Sequence, residues 1–432
     1  MKVLIVSLYH PELFRGGAQQ VAYDLFNGLK MHPDIEPLFL AAVDPSFEAL
    51  YKLGAQISGF DGRPGEYLFL SRGYDFLWHR ATSPELKSSF AEFLEYTKPD
   101  VVHFHHFLFL GIDLLTITRR VLPKARIVFT FHEFIAICHA NGHMLRPFDG
   151  SLCSRASPNR CHQCFPDLSP EHFFLRDAWF KKHLEAVDVF SVPSRFMIER
   201  YASWGVNPAR IAHVTNGQPQ YRSESFQPAK RSRTNRFGFF GQFVDNKGVW
   251  LLLEAVQELR QDGFTDFVIE LNGDNLKYAS QKRRQEFQDF MKEEEERPRA
   301  ERNVFLNGSY APDQLAQRMS RVDWCVVPSV WWEIFGLVIS EAWMFGRPVI
   351  AANVGGPRER ITHDKDGLLF EVASASSLAE TIRRAATEYG LWERLSGGIT
   401  PPATLETMTN GFLDLYRSGN RSLTAAQSPK SA

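Results

Sequence analysis

A chain of 432 residues with 44% apolar residues has material for two buried cores, and its 49 basic against 50 acidic side chains speak against nucleic-acid binding or a polybasic membrane anchor. No apolar run approaches the roughly 20 residues of a spanning helix. The opening MKVLIVSLYHPELF carries no small-residue cleavage site, so it reads as a first strand, and the cytoplasm is the expected location. Five cysteines without a leader argue against a disulfide framework.

Taken in chain order, short β-branched runs alternate with amphipathic helices, the pattern of parallel sheets with crossover helices. Lys2 to Ser7 reads as a strand. A helix follows whose Ala18, Val21, Ala22, Leu25, Phe26 and Leu29 share one face at three- and four-residue spacing. Further strands are expected at Pro37 to Val43, Val101 to His105, Arg126 to Phe131 and Asp188 to Val192. Residues 218–235 are polar and poor in apolar side chains, the best linker candidate after a first domain at 1–217. The pattern then restarts. Arg236 to Phe240 reads as a strand, and the helix after Lys247 buries Val249, Leu252, Leu253, Val256 and Leu259. Strands follow at Phe267 to Leu271, Val304 to Leu306, Trp324 to Val327 and Pro348 to Ala352. The charge-dense stretch Lys277 to Arg302 reads as a helix with a solvated face. A second domain is expected over 236–390, helices at 391–418 could cross back to the first domain, and 419–432 reads as a disordered tail. The fold class is therefore α/β, two Rossmann-like domains, expected to face each other across a cleft.

The richest segment is Pro328-Ser329-Val330-Trp331-Trp332-Glu333-Ile334-Phe335-Gly336-Leu337, running on through Val338 to Glu341. A buried strand ends at Pro328, and a helix begins near Phe335-Gly336. The first turn of a helix offers unfilled backbone N–H groups and a positive dipole end, a natural phosphate site. Carboxylates on either side would repel a phosphate unless they held hydroxyl groups instead. A diphosphate flanked by hydroxylated rings is a nucleotide sugar. A lone glutamate at a helix start is more often an exposed N-terminal charge. Here Glu333 and Glu341 are followed by Gly346-Arg347-Pro348, then Gly355-Gly356-Pro357 with Glu359, then Gly367-Leu368-Leu369.

That block resembles the donor signature of the retaining glycosyltransferases of family 4, which use the two-domain glycosyltransferase-B architecture. The resemblance implies that Glu333 holds hydroxyls of the transferred sugar and Glu341 the ribose. Phe335, Gly336, Leu337 and Val338 would offer backbone donors to the diphosphate. In the second donor element, Phe240-Gly241-Gln242 through Lys247-Gly248, Lys247 would clamp the diphosphate and stabilise the leaving group. Gln242 stands where relatives usually carry arginine, so the clamp is weaker by one cation.

In the first half, Gly16-Gly17 opens the first helix after a loop too long for a dinucleotide fingerprint. By resemblance it is the glycine loop facing the donor phosphates and the acceptor; alone it would be a turn. Alternation places His103 and His105 on one face of their strand. The resemblance assigns His105 to the neighbourhood of the reacting carbon, as a catalytic group with Glu333 and Lys247, and His132 to the acceptor side. Cys138, Cys153, Cys161 and Cys164 lie within 27 residues and could form a structural zinc site, against the alternative of free thiols. No cofactor is expected to be required for catalysis. The reaction expected is hexosyl transfer from a UDP- or GDP-sugar to a glycan or lipid-linked acceptor in cell-surface polysaccharide or glycoconjugate synthesis. Such an acceptor allows peripheral contact with the inner face of the membrane. The alternative is a non-catalytic nucleotide-sugar-binding scaffold with a zinc-stabilised insert, favoured by Gln242 alone.

Overall fold

The computed structural model describes residues 1–43, 46, 55–219 and 233–418. Most of the linker expected at 218–235 and all of the tail expected at 419–432 lie outside the described residues. The chain forms two compact units, Met1–Pro219 together with Ala403–Ala432, and Gln220–Pro402.

The first unit runs β1 (Lys2–Ser7), α1 (Gly17–Lys30), β2 (Glu36–Val43), β3 (Ile57–Gly59), β4 (Glu66–Leu70), β5 (Tyr74–Asp75), β6 (Arg80–Ala81), α2 (Pro84–Thr97) and β7 (Val101–Phe104). It continues with α3 (Leu114–Val121), β8 (Arg126–Thr130), α4 (Pro158–Cys164), α5 (Pro170–Leu184), β9 (Val189–Val192), α6 (Phe196–Trp204) and β10 (Ile211–His213). The large sheet has the order β10-β9-β8-β7-β1-β2-β4-β3, and every pair is parallel except β3 with β4. Parallel strands covered on both faces read as continuous apolar runs. In β1 that run is Val3, Leu4, Ile5 and Val6, each fully buried. The expected face of α1 packs inward, with Val21, Ala22, Leu25, Phe26 and Leu29 all buried. Each such side chain stabilises the fold by about 1.5–3 kcal/mol.

The second unit runs β11 (Arg236–Phe240), α7 (Val249–Gln261), β12 (Val268–Asn272), α8 (Gln281–Glu296), β13 (Val304–Gly308), α9 (Leu315–Met319) and β14 (Trp324–Val327). It goes on through α10 (Leu337–Met344), β15 (Val349–Ala352), α11 (Gly355–Arg360), β16 (Gly367–Phe370), α12 (Ala375–Thr387) and α13 (Leu391–Gly397). Its six strands are parallel in the order β13-β12-β11-β14-β15-β16. Counted from its own first strand, this is the 3-2-1-4-5-6 order of a dinucleotide-binding Rossmann sheet. Both units are therefore Rossmann-like.

Three expectations change. The second unit extends past 390 to Pro402, because α13 buries Leu391 and Leu395 and Trp392 Nε1 donates to Asp323 O at 2.8 Å. Only the last helix, α14 (Leu405–Arg417), joins the first unit, where it packs on α1. The exit and return of the chain lie side by side there: Gln218 bridges Thr404, and a Cβ on Gly217 would meet Thr404 O at 1.9 Å. The charge-dense helix is also not solvated throughout. Glu294 on α8 is 1% exposed, and its carboxylate accepts from Asn303 N at 2.6 Å, Val304 N at 3.0 Å and Arg260 Nη2 at 2.5 Å. It ties α8 to the start of β13. No helix among the described residues is long and apolar enough to cross a membrane.

Candidate functional site

In an open parallel sheet, ligands bind outside the carboxyl ends of the strands, where the strand order reverses. In the second unit that point lies between β11 and β14, and the loops leaving these two strands carry Lys247 and Glu333. The loops are laced together. Val330 N donates to Asn246 O at 3.0 Å. Gly248, at φ +73°, lies so close to the other loop that a Cβ would meet Pro328 O at 1.8 Å.

The lacing brings Lys247 Nζ to 2.7 Å from Glu333 Oε2. Ser329 Oγ and Trp331 Nε1 donate to the same oxygen at 2.8 and 3.1 Å. Burial alone would push the Glu333 carboxyl up; the Lys247 charge and the three hydrogen bonds overcome it and hold the group below the usual carboxylate range. Glu333 is thus a buried, ionised acceptor whose partners all fall on Oε2. Behind it, Gly356 N donates to Glu333 O at 2.7 Å, and a Cβ on Gly355 would meet that carbonyl at 2.4 Å. The glycine pair is needed for this close backing.

Gly336, at φ +72°, turns the chain into α10, and no side chain caps that helix. Gly336, Leu337 and Val338 at this start are partly exposed, whereas Phe335 is buried and the Ile339 N–H is taken by Gly336 O at 2.9 Å. Arg360, which the sequence reading missed, holds this turn from below. Its Nη1 donates to Phe335 O at 3.0 Å and Gly336 O at 2.9 Å, its Nη2 donates to Ser340 Oγ at 2.6 Å, and its guanidinium lies 3.8 Å from the Phe335 ring centroid. Burial lowers its pKa to about 9. Its sequence signal was its place just after Gly355-Gly356-Pro357.

Glu341 is half-buried, and its charge acts on Tyr310 and Cys325, whose pKa values rise first through burial and then through Glu341. Gln242 is half-buried between Gly241, whose N donates to Asn272 O at 3.0 Å, and Phe243, whose N donates to Asp274 O at 2.7 Å. The Asp364-Lys365-Asp366 turn before β16 is engaged locally: Asp364 pairs with Arg384 at 2.7 Å, and Asp366 Oδ1 accepts from Thr362 N at 2.9 Å.

In the first unit the strand order reverses between β1 and β7. His105, one residue past β7, is 1% exposed, and its Nδ1 lies 2.8 Å from His132 Nε2 just beyond β8. Its other nitrogen, Nε2, is buried with no hydrogen-bond partner. Burial, followed by the neighbouring histidines, holds His105 well below its ordinary pKa; burial, then His106, lowers His132 to about 3. Both rings are therefore neutral near pH 7. His103 packs against His105 with centroids 4.1 Å apart and planes tilted by 40°, and is locked by Tyr416 Oη at 2.7 Å and Thr130 Oγ1 at 2.6 Å. Tyr416 arrives on α14, over three hundred residues later, and local sequence patterns carry no signal for it. The glycine loop is more ordinary than expected. Gly16 has an extended φ of −160°, and the nearest atoms a Cβ there would meet belong to the side chain of its own helix's Gln19, at 2.5 Å.

The four cysteines Cys138, Cys153, Cys161 and Cys164 are free thiols that line one small cavity of the insert between β8 and α5. Among the described residues no three His, Cys, Asp or Glu side chains are grouped, as they stand, to hold a metal ion.

Fold and site define a protein of two Rossmann-like halves, each with a polar cluster at its switch point, the second pairing a buried carboxylate with a lysine beside an uncapped helix start. Residues 15–218 match the model of glycosyltransferase family 4, and residues 220–396 match that of glycosyl transferases group 1. The chain belongs to the family 4-type glycosyltransferases. It is 37% identical over 93 residues to the lipopolysaccharide core biosynthesis glycosyltransferase LpsD of Rhizobium meliloti, covering 20% of this chain and 26% of that protein. It is 25% identical over 291 residues to the lipopolysaccharide 1,2-N-acetylglucosaminetransferase of Salmonella typhimurium, covering 64% and 70%. The first curated relatives are matched over no more than 37% of their own length. Among solved structures, Anabaena HepE in complex with UDP-glucose shares the fold at TM-score 0.66 and 18% identity, over 96% of this chain and 99% of that one.

Proposed function

We propose that the protein transfers a hexosyl group, with retention, from a UDP- or GDP-linked sugar to a glycan or lipid-linked glycan in the synthesis of a cell-surface polysaccharide or glycoconjugate. The observation that carries this reading is the Lys247–Glu333 pair beside the uncapped start of α10. A diphosphate at that start would receive the N–H groups of the first turn and draw on the Lys247 charge as the leaving group gains electrons. Glu333, ionised and buried, accepts sugar hydroxyls on the oxygen its neighbours leave free. Glu341 serves the ribose, Gln242 donates to the diphosphate without charge, and Gly16-Gly17 lines the donor side. His105 meets the reacting sugar through its unpartnered Nε2, and His132, hydrogen-bonded to it, serves the acceptor. The names of the relatives support a glycan acceptor, and HepE binds UDP-glucose.

Glu333→Ala tests the reading against a panel of UDP- and GDP-hexoses, with donor hydrolysis as the readout. Loss of at least about a hundredfold in rate with an unchanged circular dichroism spectrum is expected, the scale of removing a preorganised polar group from such a site. A fully active variant removes the assignment, and donor binding without any turnover by the parent protein would favour the scaffold. The thiol-lined cavity is likewise proposed as a structural zinc site, since four cysteines suit tetrahedral zinc. Metal analysis of protein purified without chelators is expected to give about one zinc per chain, and less than about 0.2 would end that proposal.

A further inference from the structure

The insert that carries the cysteines also lines a larger cavity of about 440 Å³, which shares Ala156, Arg160 and Cys161 with the thiol-lined one. It lies wholly within the first unit. Arg155 and Arg160 come from the entry to and the body of α4, Arg176, Asp177 and Lys181 from α5, and Trp204 from the last residue of α6. Four cations thus face one carboxylate, and that carboxylate is taken: Lys181 Nζ lies 2.6 Å from Asp177 Oδ2. No carboxylate pairs with Arg155, Arg160 or Arg176 among the described residues, so three arginines line the cavity without a carboxylate partner.

Arg176 makes the imbalance significant. It is 3% exposed, and its guanidinium donates to three backbone carbonyls: Leu77 O at 3.1 Å, Ala136 O at 3.1 Å and Ile135 O at 2.7 Å. These carbonyls and the Phe180 ring, 4.3 Å from the guanidinium carbon, engage the group but supply no formal negative charge. Buried charges are normally paired, because an isolated one is costly to desolvate. The floor has a second character. Trp204 is partly exposed, with Lys181 Nζ 5.1 Å from its ring centroid, so one indole face is flanked by positive charge. A flat aromatic beside unpaired guanidinium groups recognises a ligand that is apolar on one face and anionic at one end.

We propose that this cavity binds an acidic carbohydrate, with a sugar ring lying on Trp204 and its phosphate or carboxylate facing Arg155, Arg160 and Arg176. Guanidinium forks match both anions in geometry. The binding stands independently of the donor site. That the ligand is part of the acceptor rests on the glycosyl-transfer reading above, and would make this face of the insert the place where an acidic acceptor is held.

The test uses the full-length protein and three probes, glucose 6-phosphate, glucuronate and glucose, followed by calorimetry and tryptophan fluorescence at low salt. At least one acidic sugar is expected to bind saturably with a dissociation constant at or below about 1 mM. Glucose is expected to bind at least about tenfold more weakly. The relative strength of the two acidic probes distinguishes a phosphate from a uronate ligand. The R155Q/R160Q double variant, altered at exposed positions that the fold does not need, is expected to lose at least about tenfold in affinity. W204F is expected to lose the fluorescence response. Glu333→Ala is expected to bind the probe as the parent does, which separates this cavity from the donor site. Absence of saturable binding by either acid overturns the proposal, as does unchanged binding by R155Q/R160Q. Probe binding lost in Glu333→Ala and kept in R155Q/R160Q would place the ligand in the second unit and also refute it.

Discussion

Replacing Lys247 by methionine isolates the electrostatics of the candidate donor site. The substitution keeps the aliphatic stem and removes the ammonium group that lies 2.7 Å from Glu333. Glu333 then remains buried with only Ser329 and Trp331 as side-chain donors to its Oε2. Breaking a fully buried pair costs about 3–5 kcal/mol. The Lys247 side chain is 32% exposed, and water screens part of that, so a loss of about 2–3 kcal/mol at pH 7 is expected. The sign of the pH dependence follows from the causes of the Glu333 shift. In the parent protein Lys247 and the hydrogen bonds outweigh burial, the folded pKa lies below the unfolded value, and the carboxylate stabilises above about pH 4.3, with that contribution lost on acidification. Without Lys247, burial, the largest single cause, is expected to outweigh the Ser329 and Trp331 hydrogen bonds and raise the folded pKa above the unfolded one. The variant is then penalised most at high pH and recovers as Glu333 takes up a proton. Urea denaturation from pH 8 to pH 5 is the assay, and the gap between parent and variant should narrow as pH falls. A gap that is constant over this range would show that burial does not raise the Glu333 pKa once Lys247 is gone and would refute the reasoning.

Gly248→Ala should be among the most damaging single-methyl additions in the chain. It places a Cβ 1.8 Å from Pro328 O at a φ of +73°, so a loss of at least about 3 kcal/mol is expected in denaturant melts. A melting curve like the parent's would mean that the loops leaving β11 and β14 do not approach as closely as described. His105 and His132 are buried neutral, with folded pKa values below the unfolded 6.5. Their contribution is complete above pH 6.5 and falls as the pH drops, by up to about 1.4 kcal/mol per pH unit for each ring. His132→Asn should flatten the stability profile between pH 6.5 and pH 4. An unchanged slope would show that His132 is protonated at no cost.

Both polar clusters are held from behind by residues that carry little local signal. Arg360 braces the backbone turn that opens α10 through two carbonyls and a hydroxyl, and Tyr416 fixes His103 against His105. Neither needs to touch a ligand for its loss to misplace groups that do.

Periodicity alone determined the alternation of strands and helices, the inward face of α1 and the restart near residue 236, because apolar spacing reports directly which face of an element is buried. The residue types around Glu333 and after Pro328 marked the candidate donor region, because a strand ending in a loop and a helix start is a local feature. The tertiary structure decided what depends on partners distant in sequence. Ser329 and Trp331 share an oxygen with Lys247 some eighty residues away, and Glu294 leaves the solvated face expected of a charge-dense helix to accept backbone N–H groups at β13. The last helix alone, not α13, returns to the first unit, because what α13 buries lies in the second. A hydrogen-bond partner is chosen by three-dimensional proximity, and proximity across three hundred residues has no period to read.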